Sequence, residues 1–239
     1  MPGDPLYLDV HILAVNKEAG TLVIASSHTP DNKSLVETLS LQYGKLWPVH
    51  RLDRETSGVL LFARDAEAHR ILNRQFQMRE IHKFYHLLVI GQPEWETREV
   101  NLPLRVNGDR RHRTIVDHAL GKPAQTHFQI LQRYHDKVAL IEAFPSTGYT
   151  HQIRAHACSC GLWILKDRLY LPWLSHPGLP AGRPNLPDVD KQLADQMPIQ
   201  RLALHALRIK FAHPNTGNEV IIDAPYPQDF RRTIEVLHQ

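Results

Sequence analysis

The chain has 239 residues, 42% of them hydrophobic, and 28 Lys+Arg against 25 Asp+Glu give it a formal charge of +3. That length can bury a sizeable core without staples, as one domain or one domain with two lobes. Its two cysteines, Cys158 and Cys160, are spaced too closely for a good disulfide and lack the second pair of a four-cysteine zinc site. The charge permits a polyanionic partner without requiring one.

Taken in chain order, Leu6–Leu8 and Ile12–Val15 read as short strands around a turn at Asp9-Val10-His11, and 17–20 turns the chain into a third strand, Thr21–Ala25. Ser34-Leu35-Val36-Glu37 has capping-box spacing and predicts a helix to Tyr43, stopped at Gly44. Val59–Ala63 reads as a buried strand. Asp65 can cap a helix with Ala68, Ile71, Leu72 and Phe76 on its apolar face, leaving Arg70, Arg74 and Arg79 for solvent or phosphate. Strands are expected at 83–90, 124–133 and 137–144, the last two an antiparallel pair joined near His135-Asp136. Thr150–Cys160 reads as a helix ending at Gly161, and six prolines between 172 and 198 predict an irregular connection. Strands near 201–212 and 219–223 and a helix after Pro227 complete an α+β pattern with a large, mostly antiparallel sheet. No apolar run reaches membrane-spanning length, and Met1-Pro2-Gly3-Asp4 lacks a secretion pattern, so a cytoplasmic monomer with no membrane partner is expected.

The most informative stretch is His50-Arg51-Leu52-Asp53-Arg54-Glu55-Thr56-Ser57-Gly58. It places one acidic nucleophile candidate, Asp53, among basic neighbours on a loop that feeds the strand at 59–63, where Gly58 supplies backbone freedom. This run resembles the HRLDxxTSG motif of the RluA-type RNA pseudouridine synthases. Further similarities follow in the same order. Asn16-Lys17-Glu18-Ala19-Gly20 is similar to NKPAG, with Glu18 for proline, and Lys83-Phe84-Tyr85 to Gly91 is similar to the KxYxALVxG strand. Thr147 to His156 resembles TGRTHQIRxH, and Leu204-His205-Ala206 to Pro214 resembles the late LHA and FxHP strand.

The resemblance implies the pseudouridine synthase fold: a large, mixed, mostly antiparallel, bent sheet flanked by helices, with an active cleft across its middle and here a single catalytic domain, 1–239, without an N-terminal S4 module. It implies isomerisation of uridine in structured ribosomal or transfer RNA, without cofactor or metal. Asp53 matches the essential aspartate, Tyr85 the tyrosine that stacks on uracil and offers its hydroxyl to the proton at carbon 5, and Arg154 the arginine that ion-pairs with the aspartate. An ionised carboxylate in a dry pocket needs such a cation. Arg51 and Arg54 could fill the space left by a flipped base or hold flanking phosphates, and Lys83 could approach the RNA backbone. The basic run Arg110, Arg111 and Arg113 could clamp phosphates from a loop, and His151 and Gln152, at the start of the 150–160 helix, are further candidate RNA contacts.

Two positions depart from the family pattern: Tyr149 replaces the first arginine of GRTHQIR, and Lys166 stands where glycine precedes the aspartate. A catalytically decayed RNA-binding module is the alternative these departures allow. The 16 histidines raise a metal-dependent hydrolase as a rival, but His151 and His156, five apart, do not share a helix face and no HExxH occurs.

Overall fold

In the computed structural model, residues 5–25, 34–91, 93–134, 137–170 and 194–238 are described. They divide into two compact units, Met1–Tyr85 with His205–Tyr226 and His86–Leu204 with Pro227–Gln239. The first unit is a mixed sheet. Strand β1 (Pro5–Leu8) pairs antiparallel with β2 (Ile12–Lys17), and β2 with β4 (Ser57–Ala63). On its other edge β4 takes β12 (Leu204–Ala212) in parallel at Ser57 and Gly58, and β3 (Trp47–Pro48) antiparallel at Phe62 and Ala63. Strand β13 (Glu219–Asp223) closes on β12. Every residue of β4 is buried, which explains its unbroken apolar run.

The strand expected at Thr21–Ala25 does not form. Both edges of β2 are already taken by β1 and β4. The carbonyls of Leu22 and Val23 instead accept from the N–H groups of Leu35 and Val36, at 2.8 and 3.2 Å, in the open first turn of α1 (Leu35–Tyr43). The expected Ser34 and Glu37 capping box is present. Helix α2 (Ala66–Gln77) is capped by Asp65, whose side chain accepts from Ala68 N–H at 2.7 Å.

The chain enters the second unit within β5 (His82–Ile90). Its antiparallel ladders join β9 (Gln125–Arg133) to β10 (Val138–Pro145) and to β6 (Thr97–Asn101), while β11 (Trp163–Ile164) pairs with Ile90 and Val89 of β5. A small hairpin, β7 (Leu104–Arg105) with β8 (Ile115–Val116), was not legible as strands because each contributes only two residues. Helix α3 (Gln152–Ser159) and the closing helix α4 (Gln228–Leu237) complete the unit. Arg201 anchors α4 by a two-point contact with Asp229, at 2.7 and 2.9 Å. The turn at His135-Asp136 and residues 172–193 of the proline-rich connection lie outside the described residues. Among the described residues no helix is long and apolar enough to cross a membrane.

Candidate active site

The loop carrying Asp53 is fixed by what its neighbours bury. Val49 and Leu52 enter the core of the first unit, while Arg51 and Arg54 stay exposed. Thr56 N–H donates to the Asp53 carbonyl at 3.1 Å and closes a tight turn. At its start, His50 Nε2 accepts from Leu61 N–H at 3.0 Å. Leu61 lies between the residues of β4 that β12 and β3 pair, so the imidazole completes a gap in the ladder. Burial, with the positive charge of Lys83, pushes His50 down to about 3, keeping the ring neutral and able to accept.

At the loop's end, Ser57 and His205 are fully buried and hydrogen bonded at 3.0 Å. His205 Nε2 faces the Ala224 carbonyl at 3.1 Å, so it carries the proton and Nδ1 accepts from the Ser57 hydroxyl. Serine and histidine here brace the loop rather than forming a nucleophile and base. Gly58 is required twice: its φ is 120°, and a Cβ would overlap the backbone of Ala206.

Lys17, read in the sequence only as part of a turn and of the NKPAG-like segment, ties that segment to the Asp53 loop. It is 1% exposed, and its Nζ donates to the carbonyls of Glu18, Thr21 and Arg54 at 2.9, 2.9 and 3.1 Å. Three ammonium donors thus meet three acceptors. Gly20 N–H also donates to the Arg54 carbonyl, and Arg54 Nε returns a bond to the Gly20 carbonyl, at 2.7 and 3.0 Å. The segment after β2 and the Asp53 loop are therefore tied together. A Lys17→Met substitution keeps the length and removes the donors; urea denaturation is expected to show a loss of about 2–4 kcal/mol from stranded carbonyls.

Tyr85 lies against the same core. Burial, then the negative charge of Asp53, pushes its phenol well above the ordinary value, so it is neutral at physiological pH. The structure thus brings Asp53 and Tyr85 together within one unit. Lys83, expected at the RNA backbone, is instead partly buried, and desolvation pushes its ammonium down to about 8. After burial, its positive charge lowers the pKa of the His50 ring, which places Lys83 near the start of the Asp53 loop.

The second unit holds the remaining site residues. Arg154 is buried on α3 and makes a two-point ion pair with Asp167, Nε to Oδ2 at 2.8 Å and Nη2 to Oδ1 at 2.6 Å. Asp167 also accepts from the N–H groups of Leu169 and Tyr170, and the Tyr170 ring lies 4.9 Å from the guanidinium carbon. Asp167 is the partner that sequence reasoning missed, although it stands beside the Lys166 departure. Lys166 has φ 59°, the left-handed region that the family's glycine enters freely; the turn survives the substitution with a lysine contacting Asp195 at 3.2 Å.

His151 precedes α3 with φ 55° and sets its ring edge-on to Tyr170. Gln152, expected to touch RNA, is only 3% exposed, with both ends of its amide engaged. It donates to the Gln125 carbonyl and Thr126 Oγ1 and accepts from Thr147 Oγ1 and Tyr149 N–H, which saturates two donors and two acceptors. It anchors the start of α3, and Tyr149 contributes through its backbone where the family's arginine side chain is missing. His156 is likewise internal, facing Thr126 Oγ1 and the Leu102 carbonyl.

In the basic run, Arg110 and Arg111 are exposed. Arg113 is 2% exposed, with Nε on Asp109 at 2.7 Å and Nη1 on the Leu169 carbonyl at 3.2 Å. It is therefore a support for the loop, not one of its phosphate contacts. Among the described residues no cluster of three or more His, Cys, Asp or Glu is assembled as metal ligands.

The Asp53 loop thus offers its carboxylate in the same unit as the partly buried Tyr85 phenol. The RNA pseudouridylate synthase family model matches residues 11–159. The chain is 36% identical over 229 residues to the dual-specificity RNA pseudouridine synthase RluA of Pasteurella multocida, covering 94% of this chain and 95% of the relative. It is 34% identical to the protein of that name from Escherichia coli, over 92% and 91%. It is also 37% identical to ribosomal large subunit pseudouridine synthase C of Salmonella typhi, over 97% of this chain and 69% of the relative. The fold matches the human RNA pseudouridylate synthase domain containing 4 with TM-score 0.74 at 23% identity, over 98% of this chain and 92% of that one. The chain belongs to the RluA-type RNA pseudouridine synthases, and it is an isomerase acting on RNA.

Proposed function

We propose that this synthase isomerises specific uridines of ribosomal or transfer RNA, flipping the target base into a site where Asp53 acts on the sugar. The observation that carries the reading is the packing of the partly buried Tyr85 against the core that Leu52, next to Asp53, enters, at the loop and strand where the family motifs fall. The names of the relatives, one set dual-specificity and one ribosomal, support the substrate class. The reaction breaks the bond from ribose C1′ to uracil N1 and rejoins C1′ to C5. The Asp53 carboxylate serves the first step, by attack at C1′ or by taking the proton at C2′. Arg154 enters as the charge partner of the site on the resemblance of its THQIR motif, held by Asp167. Cytoplasmic, monomeric action without cofactor belongs to the same reading.

For Tyr85 we depart from the family expectation. A phenolate beside an ionised carboxylate combines two costs, burial and like charge. We therefore take Tyr85 as a neutral platform for the base, and the Asp53 carboxylate, released when C5 joins C1′, as the acceptor of the C5 proton. Tritium release from RNA carrying 5-tritiated uridine tests the activity directly: release by the wild-type protein supports it, and none from either ribosomal or transfer RNA transcripts sinks it. Ultraviolet titration tests the tyrosine. Subtracting Tyr85→Phe from wild type should leave no phenol ionising near pH 10, where tyrosines ordinarily titrate. In the Asp53→Asn background the missing step should move down towards that value, because one of its two causes is gone.

A further inference from the structure

We infer that the C-terminal turn of α2, with Arg51 beside it, is a docking surface for the phosphate backbone of the substrate RNA; this rests on the synthase reading above. The cationic side chains are Arg51, Arg74 and Arg79, joined by His82, and all are exposed and in the first unit. The ring of His50, next to Arg51, lies 5.2 Å from that of Phe76, so the loop carrying Asp53 meets the last turn of α2 directly. A backbone held here would run alongside the reacting nucleotide.

The backbone at Arg79 is one of six non-glycine positions among the described residues with positive φ. Helix α2 ends with the N–H groups of Met78, Arg79 and Glu80 donating to the carbonyls of Arg74, Phe76 and Gln75. Closing the turn this way puts Arg79 at φ 60°. Glycine or asparagine occupies that position at a helix end with little strain, whereas arginine has no preference for it. The chain nevertheless places an arginine there. Among the described residues neither Arg74 nor Arg79 makes an ion pair, while Arg70, one turn earlier, is committed to Glu67 at 2.6 Å. A cation at a helix C-terminus also interacts favourably with the terminal carbonyls, but Arg74 in the last turn already supplies one. Met78, 62% exposed between the two arginines, offers an apolar patch for a sugar or base face. Guanidinium groups around an apolar spot suit a phosphodiester chain, with Glu80 the one exposed acid in the turn.

Arg79→Gly is a favourable test because glycine fits the left-handed turn, so a loss of binding cannot be put down to unfolding. Filter binding of labelled transfer RNA and 23S ribosomal RNA transcripts, from about 50 to 200 mM salt, compares wild type, Arg79→Gly and Arg74→Gln/Arg79→Gly. Each lost phosphate contact should make the slope of log affinity against log salt shallower by about 0.7, so the double variant loses about twice as much as the single one. Melting temperatures should stay at or above the wild-type value for Arg79→Gly. Unchanged affinities and slopes in both variants would overturn the surface and leave Arg79 as a helix-end residue only. Tritium release by the wild-type protein in the same samples tests the synthase reading separately; its absence would sink that reading, while the difference in slopes still decides the surface.

Discussion

Asp53→Asn is expected to reduce pseudouridine formation to about one-thousandth of the wild-type rate or less, with RNA binding retained, because it removes the carboxylate's charge while keeping the side chain's size and shape. The loop should survive the change. Its turn is closed by the Asp53 carbonyl, its ends by His50 and Ser57, and its side by Lys17, none of which depends on the Asp53 carboxylate. Single-turnover tritium release beside filter binding with the same RNA makes the comparison. Equal rates from the two proteins would remove Asp53 from the chemistry, and a parallel loss of binding would assign it to the grip on RNA instead.

The second large effect is expected far along the chain. Asp167→Asn takes the neutralising carboxylate from the buried guanidinium of Arg154 and weakens acceptance from two backbone N–H groups. Loss of one partner of a buried pair costs about 3–5 kcal/mol. For a chain of this size that corresponds to a melting temperature lower by roughly 10 °C. An Arg154→Met/Asp167→Leu double variant should regain much of the stability, since an apolar pair of similar volume can replace a buried ion pair. It should regain none of the activity. If the double variant recovers both, Arg154 is scaffold alone; if Asp167→Asn melts like wild type, the pair has been misjudged.

The features legible in the sequence are those written locally. The capping box at Ser34, the Asp65 cap, the all-apolar β4 and the two-residue alternation of β9 announce themselves through neighbours a few positions apart. Asp53 and Tyr85 were found because each stands in a run of residues that matches a known family. What sequence could not show was where a polar side chain spends its hydrogen bonds. Arg113 and Gln152 read as surface groups by residue type, yet Asp109, Leu169, Gln125 and Thr126, some of them dozens of residues away, absorb their donors. Lys17 and Asp167 were missed for the converse reason, since their importance lies in partners that only folding assembles. The false strand at 21–25 fails on the same ground: its apolar composition is right, but both edges of β2, the strand it follows, are already paired.

The parallel contact of β4 with β12 also has a consequence for synthesis. Ser57 and His205 are 148 residues apart, and they meet at the end of the Asp53 loop. At roughly 5–20 residues per second, the ribosome delivers the second partner about 7–30 s after the first. Until then Gly58 has no Ala206 backbone against it, and the loop lacks one of its two anchors. The emerging protein therefore carries its carboxylate through the synthesis of the 148 residues that separate Ser57 from His205 without the frame that makes it an enzyme, and maturation of the site waits on β12.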